Sequence, residues 1–114
     1  MELNELINNI SNFTSERDWE QFHTPKNIAM SVAIEAGELL ECLQWDSPTK
    51  SDLLQDSKRL TSISDEIADV LIYLLRLCSI LEIEPISNAE RKLELNKKKY
   101  PINQFKGISK KYNS

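Results

Sequence analysis

A chain of 114 residues is long enough for one hydrophobic core and too short for two, so a single domain is expected. Its 14 basic and 18 acidic residues leave a net charge of −4, which excludes the basic footprint of a DNA- or RNA-binding protein and any attraction to an anionic membrane surface. The longest apolar run, VLIYLL at 70–75, is far below the ~20 residues of a membrane span, and Cys42 and Cys78 behind a Met1 without an apolar signal segment point to a reducing, cytoplasmic compartment.

Apolar residues recur at helical spacing almost throughout, no period-2 alternation is long enough for a strand, and only Gly37 and Gly107 interrupt with glycine. The fold class is therefore all-α. A first helix is expected over about 2–14, with Leu3, Leu6, Ile7 and Ile10 as its buried stripe. The loop SERDWEQFHTP follows. Thr24 then serves as N-cap with Pro25 at the first helical position, and the second helix is expected to run from Pro25 to Trp45, stopping before Pro48. A third helix occupies part of 53–81, with a break near TSISDE that Ser62 or Ser64 would cap. A fourth, SNAERKLELNKKKY, is ended by Pro101, leaving a polar, basic tail to Ser114. The expectation is a four-helix bundle.

On the second helix, Val32, Ala33, Ala36, Leu39, Leu40 and Leu43 fill one broad arc. Glu35 and Glu38, one turn apart, share a strip beside it, and the small Ala36 and Gly37 would admit another helix closely. The third helix repeats the arrangement. Glu66 and Asp69 are three apart, Tyr73 and Arg76 continue their face, and Ile63, Ile67, Val70, Leu71, Leu74 and Cys78 make its core arc. If the two helices pack side by side, four carboxylates converge, and a partly desolvated cluster of that kind needs a compensating cation. Oxygen-only ligation suits Mg²⁺, with Mn²⁺ as the alternative. Di-iron and zinc chemistry fit poorly, because the one histidine, His23, lies in a loop. The plainer reading of each pair is a solvated acidic face; Asp65 and Glu41 take that reading, or an outer supporting one.

The acids and their surroundings carry a family resemblance. EAGE followed on the next long helix by DEIAD resembles the ExxE and ExxD motifs of the MazG-like all-α nucleoside triphosphate pyrophosphohydrolases. RDWEQFHTPKNIAMSVAIEAGELLECLQW, DEIADVLIYLL and KLELNKKKYP together resemble the compact subgroup that includes dCTP pyrophosphatases, from about Ser15 to Pro101. The resemblance implies that Glu35, Glu38, Glu66 and Asp69 bind Mg²⁺. It also implies hydrolysis between the α and β phosphates of a nucleoside triphosphate, dCTP or a related deoxynucleotide, in a house-cleaning role. Glu38 is the acid expected nearest the attacking water. Lys92, Asn96, Lys99 and Tyr100 resemble the family's KxxxN and YP positions and would bind the triphosphate, whereas Lys97 and Lys98 read as solvated.

Base recognition needs flat apolar surfaces with polar tips, which Trp19, Phe22, His23 and Trp45 supply. In the resembling enzymes the matching tryptophans and the tyrosine matching Tyr73 line the nucleoside pocket, and Tyr73 under a deoxyribose would leave little room for a 2′-hydroxyl. Core packing is the plainer role for either tryptophan. His23 contacts base or phosphate, or fixes its loop. Helices apolar over so much of their circumference expose more hydrophobic surface than one protomer buries, and the resembling family forms intertwined dimers that often pair into tetramers with each active site assembled across protomers, so an intertwined homo-oligomer is expected. Two rival readings remain: a noncatalytic helical interaction module, and a MazG-like enzyme acting on another substrate such as dUTP or dATP.

Overall fold

In the computed structural model, which describes residues 1–111, every regular element is helical, and no strand occurs among the described residues. The helices are α1 (Leu3–Glu16), α2 (Pro25–Glu41), α3 (Lys50–Leu54), α4 (Ser57–Ile80), α5 (Pro85–Lys99) and α6 (Ile102–Phe105), with a single 3₁₀ turn at Glu20–Phe22. The chain divides into two compact units, Met1–Glu82 and Ile83–Ser114. Residues 112–114, the end of the expected tail, lie outside the described residues.

In the first unit α4 is the central element; α2 packs along it, and α1 and α3 pack on it as well. The buried apolar core is Ile10, Ile28, Ile63 and Leu75. Ile10 ends the stripe expected on α1, where Leu3, Leu6 and Ile7 are half-buried. Thr14, one turn further, is buried and donates its hydroxyl to the Ile10 carbonyl at 2.9 Å, which satisfies the one polar group of that face. Asp18, in the left-handed region at φ 54°, reverses the chain after α1. The amide of Trp19 then returns to the Thr14 carbonyl at 3.1 Å.

Helix α2 starts where its cap chemistry places it, the Thr24 hydroxyl accepting from the Asn27 amide at 3.1 Å with Pro25 in the first turn. It ends four residues before Trp45. The cause is Arg59, whose Nε and Nη2 take the Cys42 carbonyl at 3.1 and 2.8 Å, the acceptor a continuing helix would offer to the Asp46 amide. Its Nη1 and Nη2 also donate to the Asp46 carboxylate, a bidentate ion pair.

The break expected at TSISDE lies earlier. Thr49 and Asp52 form a capping box that starts α3, and the Asp56 carboxylate accepts from the Arg59 amide at 3.0 Å to start α4. Ser62 and Ser64 do not cap; their hydroxyls donate back to the Lys58 and Leu60 carbonyls, which keeps both residues inside a continuous helix.

The seam between α2 and α4 differs from the expected arcs. Among the covered positions, Ile28, Val32, Glu35, Leu39 and Cys42 on and just after α2, and Arg59, Ile63, Glu66, Val70, Tyr73 and Leu77 on α4, make one stripe each. Both follow alternating steps of four and three, the spacing of packed helices. The expected core residues Ala33, Ala36 and Leu40 on α2, and Ile67, Leu71 and Leu74 on α4, are exposed instead, Leu40 by 65%. A Cβ at Gly37 would meet nothing within 4 Å, so the close helix approach expected there is not made within the chain.

In the second unit Glu84 caps α5 by accepting from the Ile86 and Ser87 amides, with Pro85 in the first turn. Pro101 separates α5 from α6, a short helix in the stretch expected to be tail. Tyr100 and Phe105 meet edge to face at 5.0 Å, and Gly107 at φ 77° closes the turn after α6.

A candidate metal and nucleotide site

The register of the α2–α4 seam assembles the acids. Seven residues, two helical turns, separate Cys42 from Glu35 on α2 and Arg59 from Glu66 on α4. The helices run antiparallel, so the Arg59–Cys42 contact at one end places Glu35 opposite Glu66 at the other. Carboxylate oxygens of Glu35, Glu38 and Glu66 lie within 4.8 Å of one another. Asp69, the fourth predicted acid, stands outside that triad. It is near enough for its charge to bear on both Glu35 and Glu66.

The electrostatics are those of crowded like charges. One oxygen each of Glu35 and Glu66, Oε2 in both, is buried and has no hydrogen-bond partner. Native proteins rarely leave such atoms orphaned without a missing water or ion to account for them. Glu35 is pushed from 4.5 up to about 7, first by burial, then by a hydrogen bond and repulsion from Glu38 and by the Asp69 charge. Glu66 is raised as well, first by burial and then by Glu38. Like charges held within 4.8 Å of one another repel. A divalent cation removes that repulsion, and a donor set of carboxylate oxygens without nitrogen or sulfur suits a hard ion. The residues present therefore fit a hard divalent metal.

Beyond the acids, Ile10, Phe13, Thr14, Trp19, His23, Ile72, Tyr73 and Arg76 line a cavity of about 70 Å³ between α1, the loop after it, and α4. Tyr73 and Arg76 extend the face of Glu66 and Asp69 along α4, so the cavity and the acids share one helix face. Trp19 packs its ring edge to face on Phe13 at 5.6 Å, and the Arg17 guanidinium covers the Phe13 ring at 3.8 Å. Trp19 is thereby fixed as a wall. The His23 ring nitrogen Nδ1 accepts from Arg76 Nε at 3.0 Å. Burial, with help from Arg76 and against Glu20, holds His23 below the ordinary histidine value, so the ring is neutral with Nδ1 as acceptor.

The remaining predicted residues are distributed as follows. Trp45 is 89% exposed in the turn after α2 and does not line the cavity; core packing is not its role. Phe22 is also exposed. Lys92, Asn96 and Lys99 share a face of α5, and Lys92 is lowered chiefly by the Lys99 ammonium seven residues on. Tyr100 follows at the end of that helix. All four belong to the second compact unit. Arg76 and Arg59 have no role in the sequence reading, although Arg76 stands on the carboxylate face. The signal for Arg76 was its spacing of ten residues from Glu66; Arg59 offered none, because its partners are a backbone carbonyl and a loop aspartate.

Comparison with known proteins gives a consistent set of likenesses. The model of the MazG-like family matches residues 30–114. The chain is similar to dCTP pyrophosphatase 1 of Mus musculus, 36% identical over 101 residues that cover 88% of this chain and 59% of that protein. It is 35% identical to the Homo sapiens dCTP pyrophosphatase 1 over the same shares. The chain thus spans about three-fifths of the length of the curated relatives it matches. A pyrophosphatase crystal structure from Archaeoglobus fulgidus DSM 4304 superposes with a TM-score of 0.79 at 44% identity, covering 87% of this chain and 92% of that one.

Proposed function

The chain belongs to the MazG-like family, and from that premise we propose that it is a Mg²⁺-dependent nucleoside triphosphate pyrophosphohydrolase acting on dCTP or a related deoxynucleotide. The observation that carries the proposal is the pair of buried, partnerless oxygens on Glu35 and Glu66 inside a triad of carboxylates. Glu35, Glu38, Glu66 and Asp69 would hold the ion. When bound, Mg²⁺ neutralises phosphate oxygens and polarises the phosphorus under attack.

The chain's own residues do the rest. Glu38 orients the attacking water and accepts its proton, as a carboxylate within hydrogen-bond reach does. The water oxygen bonds to the α-phosphorus, the bridging bond to the β-phosphate breaks, and pyrophosphate leaves beside the monophosphate. Trp19 and Tyr73 flank the nucleoside, with Tyr73 against the deoxyribose. Trp45, held on a clamped turn and open to solvent, is a second wall that closes on the base. Lys92 and Lys99 would bring positive charge to the triphosphate, and Asn96 and Tyr100 would bind it as neutral hydrogen-bonding groups.

Assembly as a homo-oligomer, a dimer or a dimer of dimers, belongs to the same proposal. Ile67, Leu71 and Leu74 on α4, with Leu81 just after it, stand 43–53% exposed at steps of four, three and seven, a seam only partly covered among the described residues. No helix among the described residues is long and apolar enough to cross a membrane, and cytoplasmic nucleotide-pool cleaning is the role this activity suits. Pyrophosphate release from dCTP, dUTP, dATP and CTP, with and without Mg²⁺, tests the reading. Release from a deoxynucleotide only with the metal is expected. No turnover on any of them, together with no Mg²⁺ binding by calorimetry, would instead leave a noncatalytic helical module.

A further inference from the structure

The cavity beside the acids contains one feature that the proposed reaction leaves without a task. Arg76 stands at its wall with a guanidinium that is permanently charged and offers five N–H donors. Its Nε is used by His23 at 3.0 Å. No carboxylate lies within ion-pair distance of Arg76 among the described residues. Of the other lining groups, Phe13 and Trp19 pack on each other, and the Thr14 hydroxyl is spent on the Ile10 carbonyl. Arg76 is half-buried and its terminal nitrogens are not sealed from solvent, so they can donate to an incoming acceptor pair while Nε stays on His23.

We infer that Arg76 reads the base: with Nε anchored on His23, its two terminal nitrogens donate to the adjacent O2 and N3 acceptors of a cytosine. Uracil and thymine carry a hydrogen on N3 and meet one of those donors with another donor. A planar guanidinium matches two neighbouring acceptors in the way arginine recognises paired acceptors on nucleic-acid bases. His23 is the positioning residue. As a neutral ring it accepts from Nε and fixes the plane of the guanidinium, where a protonated ring would repel it.

The placement along α4 separates this role from phosphate binding. Arg76 follows Asp69 by seven residues, about 10 Å along the axis at 1.5 Å per residue. That is a span a nucleotide bridges from its first phosphate to the far edge of its base. Aromatic walls around the guanidinium also suit a flat ring rather than a polyanion.

The inference rests on the cavity being the nucleoside pocket of the proposed enzyme, and the test separates the two. Binding of dCMP, dUMP and dGMP is measured by calorimetry without metal, and kcat/KM for dCTP and dUTP with Mg²⁺, for the wild-type chain, Arg76→Met and Arg76→Lys. The wild type is expected to prefer dCMP over dUMP by roughly ten- to a hundredfold, the worth of a good bidentate pair. Arg76→Met brings that ratio, and the ratio of kcat/KM values, close to unity. Arg76→Lys keeps the charge without the second prong and also loses most of the preference, so a Met variant that fails to fold does not decide the matter. His23→Leu lowers the ratio in part. Variants that retain the wild-type ratio, or that weaken dCMP and dUMP equally, overturn the assignment, as does a wild type that binds dGMP above dCMP. A cytosine preference in binding without turnover of any triphosphate would keep Arg76 as the reader and sink the pyrophosphohydrolase reading. Turnover without that preference would do the reverse.

Discussion

Replacing Glu35 by glutamine should stabilise the metal-free protein at neutral pH and should do so by a predictable amount. Glu35 sits in the α2–α4 seam with its raised value of about 7 against 4.5 in an unfolded chain. An acid whose native value lies above its unfolded value binds more protons in the folded state between the two. Its contribution is therefore full below about pH 4.5 and is lost as the pH rises through about 7. The span corresponds to a ceiling of about 3 kcal/mol, and because the carboxylate is only half-buried, solvent screening reduces this to about 1–2 kcal/mol. Glu66, raised by the same neighbours, adds to the slope in the same direction. The assay is thermal unfolding in EDTA at pH 5 and pH 7.5. His23, held below its ordinary value, works in the opposite direction in wild type and variant alike, so the readout is the difference: Glu35→Gln should melt roughly 4–8 °C higher than wild type at pH 7.5 and close to it at pH 5. Adding Mg²⁺ at pH 7.5 should raise the wild-type midpoint and leave Glu35→Gln nearly unmoved. A glutamine variant that loses as much as wild type between the two pH values, or that is less stable than wild type in EDTA at pH 7.5, would refute the idea that uncompensated carboxylates strain this seam.

Other outcomes follow from single contacts. Arg59→Met removes both the Cys42 and the Asp46 interactions and should lower the unfolding midpoint more than Asp46→Asn, which leaves the carbonyl contact in place; equal losses would mean the register is set elsewhere. Thr24→Ala deletes the side-chain cap on the Asn27 amide and should cost about 1 kcal/mol in urea unfolding, against a few tenths for Thr24→Gly. Trp45→Ala should leave stability unchanged, since the ring is 89% exposed, while raising KM for the nucleotide. Unfolding would assign it to the core, and an unchanged KM would remove it from the pocket.

The sequence pattern was most informative where chemistry is local. Thr24 with Pro25 and the spacing of the stripe on α1 name their elements outright, because caps and amphipathic periods are decided within a few residues. The boundaries at Glu41 and Asp56 were not legible, since the first depends on Arg59 reaching across from another helix and the second on whether two serines cap or bond backwards. The acids were found as a set, yet only one side of each expected apolar arc is covered (Val32 and Leu39, Ile63 and Val70), the other side (Ala33, Ala36 and Leu40, Ile67, Leu71 and Leu74) is turned outward, and Glu35 and Glu66 lie in the seam itself. Periodicity locates an apolar face but does not say whether the same chain or another covers it, and on α2 and α4 that distinction moved the covered stripe by about a fifth of a turn. Arg76 was legible as a position and not as a role, because its meaning depends on His23, fifty-three residues away.

The central claim is that the acids on α2 and α4 form a divalent-metal cradle. Anomalous diffraction from a crystal soaked in Mn²⁺ tests it most directly. The account predicts a peak bounded by Glu35, Glu38, Glu66 and Asp69, with the oxygens now orphaned on Glu35 and Glu66 drawn to about 2.1 Å from it. A Mn²⁺ peak held by other residues, or none between these helices at saturating metal, would contradict it.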